Sequence, residues 1–338
     1  MTEESSTTSH LSAAMTTTGM MQITGGNTVT PLSSLGIEFY FQCAVLVIGV
    51  VGIATNGLVL YALVASKQHK KHVLIVNQNA LDLFSSFMMV VIYSFKLCNI
   101  YLTGSVGYLL CTLILSENLF WCGSLGSVIN LASITIERYV KVVHSAWSKK
   151  KLREWVIYSA AAFAWISSFI YNFAVVFSTT VVVDGACYPY AVWASDMANK
   201  IQLIWFSVSF YVVPLLIFIF CYWRILVVIR RQARLMAGHD VAGPSTAQTP
   251  AQAQSNQIQF SVIKTMILIC VFYAVSWLPS YAYVLNLSLN QKPIDDGYYA
   301  ALIMVFLYVC TNPFIYATKF DPVKEVLLRL IQCKKNSG

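Results

Sequence analysis

The chain has 338 residues, of which 57% are apolar and only 11% charged, and it carries a formal net charge of +8. Soluble domains carry about 25% charged residues, so this composition excludes a water-soluble single-core protein and calls for a bilayer as solvent. The positive charge invites a nucleic-acid reading, which its distribution along the chain then excludes.

In chain order, residues 1–37 are rich in Ser, Thr, Met and Gly and contain no Lys or Arg. They lack the basic start and compact apolar stretch of a cleaved signal peptide. A disordered extracellular tail is expected, with the first spanning helix directing insertion. Seven apolar segments follow, at approximately 38–65, 74–98, 109–141, 155–178, 201–229, 258–286 and 297–318, each long enough to supply the roughly 20 residues that a spanning helix needs. The expected fold is an all-α membrane protein, a seven-transmembrane helix bundle over residues 38–318. Within it, the third inner loop (235–257) is a low-complexity run of Ala, Gly, Gln, Ser, Thr and Pro and is expected to be disordered.

Residues 319–338 form the last unit. Val323, Val326, Leu327, Leu330 and Ile331 share one helical face, with Lys324 and Arg329 elsewhere. That pattern suits a short amphipathic helix in the membrane interface, followed by a cytoplasmic tail. Cys333 at its end is a candidate for S-palmitoylation, with an unmodified thiol as the alternative. Of the nine cysteines, Cys43, Cys122, Cys221, Cys270 and Cys310 lie inside apolar segments and read as small buried hydrophobes.

With the N-terminus outside, only Lys96, Lys200 and Lys292 of the 22 Lys and Arg face outward. The charge is therefore a positive-inside signature and, secondarily, a docking surface for a cytoplasmic partner. Asn286-Leu287-Ser288 is the one glycosylation acceptor found on the outer side, close to the membrane.

Ionisable groups inside a bilayer are expensive and by default mark function. Asp82 stands in the second span, with Asn56 in the first and Asn312 in the seventh. Polar neighbours or a cation would make its charge tolerable; the plainer alternative is three unrelated residues gluing helices together. Glu137-Arg138-Tyr139 ends the third span. It is either a surface ion pair of little value or a latch that holds Arg138 until a partner competes for it. Pro214, Pro279 and Pro313 each sit within a span and permit kinks.

In this order and spacing, Asn56-Gly57, Asp82, Glu137-Arg138-Tyr139, Trp165, Pro214 with Tyr222, Trp277-x-Pro279 and Asn312-Pro313-x-x-Tyr316 resemble the pattern of class A (rhodopsin-like) G-protein-coupled receptors. The resemblance covers roughly residues 38–333. It implies a plasma-membrane receptor that binds an extracellular ligand between its outer helix halves and promotes nucleotide exchange on a heterotrimeric G protein, with no catalysis of its own. Trp277 and Tyr273, above the Pro279 kink, would be the toggle. Glu137, Arg138, Tyr139, Tyr222, Asn312, Pro313 and Tyr316 would form the coupling switch. Asp82, Ser127 and Asn312 would line a site for an allosteric sodium ion, the one cofactor-like species implied. Cys111 and Cys187 look like the family's outer disulfide, with Cys98 as a rival partner.

The sequence also departs from the family. Cys111 lies 27 positions before Arg138, two more than the family spacing, so an irregular turn or bulge is expected at the outer end of the third span. Phe120 stands where amine receptors carry an aspartate, although Glu117 one turn above could still meet a cation. Phe306 stands where opsins carry the retinal lysine, so no Schiff base can form. Gln259 replaces the sixth-span acid that holds Arg138, which implies raised basal activity. Tyr273 replaces a phenylalanine, and Tyr308 replaces a polar sodium-site residue.

Counting helical faces from these anchors, the outer cavity would be lined by Phe120, Trp121, Ser124, Phe206, Phe210, Trp277, Tyr281, Tyr298, Leu302 and Phe306, with Glu117 and Lys96 at its mouth. This suits a peptide or a neutral, lipid-like molecule. Helix packing is the alternative role for each of these aromatics. A transporter would need a continuous polar path, broken helices or an internal repeat; no repeat is visible, and the acids do not form a relay across the membrane. An enzyme would need an intramembrane nucleophile set or metal cluster, which the spans lack. A receptor-like chain that pairs with other receptors without coupling is opposed by the intact Glu137-Arg138-Tyr139 and Asn312-Pro313-Phe314-Ile315-Tyr316 motifs.

Overall fold

A computed structural model describes residues 32–239, 250–290, 296–319 and 321–336. Seven of its helices are long and apolar enough to cross a membrane: Gly36–Ala65, Val73–Leu97, Gly104–Val143, Glu154–Thr179, Asp196–Arg231, Ile263–Asn286 and Asp296–Thr318. They form the expected all-α bundle and are numbered below as spans one to seven. A further helix, Asp321–Asn336, follows span seven. Val323 is fully buried in it while Lys324 and Arg329 are exposed, as its one-sided apolar pattern requires.

Several boundaries differ from the sequence reading. The first helix begins at Leu32, inside the segment expected to be disordered. Helices Val213–His239 and Pro250–Asn290 extend into the low-complexity stretch 235–257. Its Ala- and Gln-rich flanks have good helix propensity and prolong the spans that precede and follow. Residues 240–249, the tail before residue 32, and the side chains of Gln259, Ser288 and Cys333 lie outside what is described.

Span three starts at Gly104 and is broken. Gly104–Leu110 is α-helical and Cys111–Leu115 is a π-helical turn. The chain then passes through Ser116 and a left-handed Glu117 (φ 61°) before Asn118–Val143 resumes the α-helix. Extra residues in a helix are absorbed in this way, which is the irregularity expected from the Cys111–Arg138 spacing. Ser116 fills the break: its hydroxyl donates to the Thr112 carbonyl (2.6 Å) and accepts from the Asn118 amide (3.3 Å).

A proline inside a helix frees the carbonyl four residues earlier, and in a membrane that carbonyl must find a donor. Pro313 frees the Val309 carbonyl, which accepts from Asn56 Nδ2 of span one at 3.2 Å. Pro214 follows a second π-helical turn, Val208–Val212, and the Phe210 carbonyl accepts from the Tyr273 hydroxyl of span six. Glycines allow close helix approach: a side chain at Gly52 would collide with Ser86 and Cys310, and one at Gly123 with Ser85.

One end of the bundle carries a hairpin, β1 (Val181–Val183) paired antiparallel with β2 (Ala186–Tyr188). Asp184 and Gly185 turn it with φ of 49° and 75°, the left-handed pair that suits a two-residue hairpin. A Cys111–Cys187 disulfide ties β2 to span three, with Cα atoms 5.4 Å apart. Cys98 is exposed and free, so the rival pairing is not formed.

Candidate functional site

At the centre of the bundle Asp82 is fully buried. Its carboxylate accepts from the Ser127 hydroxyl (2.7 Å) and from Asn312 Nδ2 (2.8 Å). A buried carboxylate is tolerable only when hydrogen-bonded, and here it ends a longer chain. Gln78 donates to Ser127, and Asn130 Nδ2 donates to Gln78 Oε1 (2.8 Å) and to the Leu74 carbonyl (2.9 Å). Asn77 donates to Asn130 Oδ1 (2.9 Å), and Trp165 Nε1 donates to Asn77 Oδ1 (2.9 Å). Spans two, three, four and seven are therefore joined through one polar thread. Asn312 Oδ1 is buried near its end with no hydrogen-bond partner among the described residues, and the Tyr308 hydroxyl lies beside the Asn312 side chain.

At the end opposite the disulfide, Arg138 is 9% exposed. Glu137 Oε2 lies 3.6 Å from its guanidinium, while Glu137 Oε1 binds Lys141 Nζ at 2.5 Å. Arg138 Nη2 lies 3.4 Å from Nδ1 of His72, at the start of span two. A guanidinium only donates, so His72 accepts at Nδ1 and carries its proton on Nε2. Burial, and then the Arg138 charge, lower the His72 pKa from 6.5 to about 4, which keeps the ring a neutral acceptor. The Tyr222 hydroxyl is 3.3 Å from Thr135 Oγ1, and Tyr139 is bonded to His144 (3.2 Å). Tyr316 is fully buried.

Between these regions and the hairpin lies a layer of packed rings. Phe120 meets Phe306 (4.9 Å between centroids) and Trp121 (5.0 Å); Trp121 meets Trp277 (6.2 Å), which stacks on Tyr281 (5.7 Å). Phe206 joins Tyr281 (5.5 Å) and Phe210 (5.5 Å). Tyr273 bridges Trp277 (5.8 Å) to Phe218 (5.7 Å). Inside this layer Ser124 Oγ, Trp277 Nε1 and the Tyr281 hydroxyl are buried without partners among the described residues.

Above it a cleft of about 250 Å³ opens between spans one, two, three and seven, lined by Glu38, Phe41, Tyr93, Lys96, Glu117, Tyr298, Tyr299 and Leu302 among others. Glu117 accepts from Lys96 Nζ (2.5 Å) and from the Tyr93 hydroxyl (2.8 Å). The residues expected to line one outer cavity thus divide. Glu117, Tyr298 and Leu302 face this cleft, whereas Phe120, Ser124, Phe210, Trp277, Tyr281 and Phe306 are buried in the ring layer, with Trp121 and Phe206 packed against it.

The model of the seven-transmembrane receptors of the rhodopsin family matches residues 55–316. The chain belongs to that family. It is 25% identical to the dog (Canis lupus familiaris) substance-K receptor, over 81% of this chain and 70% of that receptor. It is 22% identical to the rat (Rattus norvegicus) galanin receptor type 1, over 90% and 86% of the two chains. It is 23% identical to cat (Felis catus) melanopsin, over 80% and 57%. The family consists of receptors rather than enzymes.

For a receptor of this family, the landmarks read from sequence come together in space. Asp82, Ser127 and Asn312 meet, and the Trp277 and Tyr273 rings pack in tilted contact on the Pro279 helix. The sequence did not reveal His72 as the partner of Arg138, because the contact joins residues 66 positions apart on different spans. Gln78, Asn77 and Asn130 were also missed. Their signal was present as a repeated amide on spans two and three, but amides alone do not say which way they face.

Proposed function

We propose that this receptor lies in the plasma membrane with its N-terminus and disulfide end outside, takes up an extracellular ligand at that end, and activates a heterotrimeric G protein at the Arg138 end. The positive-inside distribution of Lys and Arg supports the orientation, and a disulfide at the outer end suits an oxidising compartment. A peptide is the favoured ligand. The receptors for substance K and galanin are among its relatives, and no carboxylate stands at Phe120 where an amine receptor would need one. Melanopsin is a relative too, but Phe306 leaves no retinal-binding lysine.

The observation that carries the reading is Arg138. It is almost fully buried and held by Glu137 on its own helix and by His72, at the N-cap position of span two. Such an arrangement is one state of a two-state latch, and a ligand shifts it only by differential affinity for the two states. The ring layer from Phe306 to Phe218 supplies a contiguous path between the ends. A sodium ion favouring the latched state also fits the centre. Asp82, Ser127 and the unpartnered Asn312 Oδ1 are oxygens of the kind that a hard cation takes.

The test is ligand-free G-protein activation in cells across the main Gα classes, with Arg138→Ala as control. Basal signalling that falls at least about tenfold in the variant, at equal surface expression, supports coupling through Arg138. Signalling unchanged in the variant overturns that role.

A further inference from the structure

The cleft beside the ring layer holds more acidic than basic groups. Its charged groups are Glu38, Glu117 and Lys96, so it carries one uncompensated negative charge. Lys96 uses Glu117 Oε1, which the Tyr93 hydroxyl shares, and lies 4.8 Å from the centroid of the Tyr93 ring. Among the described residues Glu117 Oε2 accepts no hydrogen bond, and the hydrogen bond that Glu38 accepts comes from Gln42 of its own helix, at 3.2 Å. The walls are aromatic: Phe41 contacts Tyr299 (4.9 Å) and Tyr93 (5.9 Å), and Tyr298 contacts Tyr299 (5.9 Å). Ring faces and carboxylates together are the chemistry that holds an ammonium or guanidinium group.

Glu117 is aimed there by the break in span three. An uninterrupted helix would give it helical backbone angles; here its φ is 61°, just after the π-helical turn. The second outer loop closes over the same group. Tyr190 also has a left-handed backbone (φ 58°), and burial, with the Glu117 carboxylate next, raises its hydroxyl pKa. Trp193 Nε1 donates to the Tyr190 carbonyl at 2.8 Å and holds that turn.

We propose that this cleft is a cation subsite which Lys96 occupies intramolecularly, and that an alkylammonium or guanidinium group of the ligand takes its place on Glu117 and Glu38. For a peptide, that group is its N-terminus or a Lys or Arg side chain. An anionic end fits worse. It would have to draw Lys96 off Glu117, whose side chain is only 14% exposed, and leave that carboxylate without its counter-charge. An incoming cation leaves no charge stranded, since Lys96, 27% exposed, can swing to water. The inference rests on the reading that the ligand enters at the disulfide end.

The test uses the full-length receptor purified in detergent, with thermal melting as readout and benzylammonium, benzylguanidinium, benzoate and benzyl alcohol as probes. Lys96→Met empties the subsite, and Lys96→Gln, which keeps a hydrogen bond to Glu117, serves if the first variant does not fold. The two cations, at millimolar concentration, are expected to raise the Tm of either variant by about 3 °C or more. They should act less on the unmodified receptor, and adding Glu117→Gln should abolish the shift. Stabilisation of the unmodified receptor by benzoate, lost on removing Lys96, would mean an anion subsite and overturn the proposal. Equal shifts with benzyl alcohol, or no shift with any probe, would reduce the cleft to an aromatic groove with a structural ion pair and overturn it too. This readout needs no G protein, so its failure is separate from a failure of the coupling reading, which Arg138→Ala tests without touching the cleft.

Discussion

In the proposed latch, His72 is the side chain outside the third span that, among the described residues, restrains Arg138. With Gln259 in the place of a sixth-span acid, the described hold on Arg138 comes from Glu137 and from a neutral imidazole at 3.4 Å. A hydrogen bond to a charged group contributes about 1.5–3 kcal/mol, and less when long. His72→Phe keeps the ring volume and removes the acceptor, so basal G-protein activation should rise about three- to tenfold, measured at matched surface expression. Unchanged basal output would show that His72 does not restrain Arg138. The same variant should flatten the pH dependence of stability. The folded-state pKa of about 4 lies below the ordinary 6.5, so the unfolded chain takes up the proton first as pH falls. The His72 contribution is thus complete above pH 6.5 and is lost progressively towards pH 4. Melts of the detergent-solubilised protein between about pH 7.5 and 5 should lose roughly 2 kcal/mol more in the unmodified receptor than in the variant.

At the scale of the helices, the prolines show what the sequence discloses and what it withholds. Pro214, Pro279 and Pro313 announce kinks, and composition places them in spans five, six and seven. Which donor satisfies each freed carbonyl depends on helix rotation and neighbour order, and these are tertiary quantities. Tyr273 was visible only as a departure from a family phenylalanine; the fold shows its hydroxyl capping the Phe210 carbonyl, four residues before Pro214. Tyr273→Phe removes that donor in an environment where water cannot replace it, at a cost of about 1–3 kcal/mol. The Tm in detergent should therefore drop by about 2–6 °C, whereas a change within error would mean that the carbonyl finds another partner. The break in span three was legible as a count, since Cys111 lies too far from Arg138. Its form was not. A π-helical turn and a left-handed Glu117 swing that carboxylate to Tyr93 and Lys96, so face-counting above Phe120 could not locate the open cleft.

Across the whole molecule the polar thread from Trp165 to Asp82 and Asn312 explains why so few charges suffice in so apolar a chain. Every span it touches contributes a donor or an acceptor, and the carboxylate at its end has each oxygen bonded. The resemblance to the receptor family implied that Asp82, Ser127 and Asn312 meet, whereas the residues alone said only that one carboxylate in a bilayer needs polar company; neither could show the supporting amides, whose partners lie on other helices. Asn312 thus joins the Asp82 centre of the bundle to the Pro313 helix. If sodium binds Asp82 in the latched receptor, raising its concentration should lower basal signalling and raise the Tm, and both effects require a full negative charge. Asp82→Asn keeps the shape and an acceptor oxygen while removing that charge. It should abolish the sodium dependence of both readouts, with a loss of at least about tenfold in apparent sodium affinity. Potassium at equal ionic strength separates site binding from general screening. Should sodium and potassium act alike on the unmodified receptor, the Asp82 centre is a structural thread, and the coupling between the two ends runs through the ring layer alone.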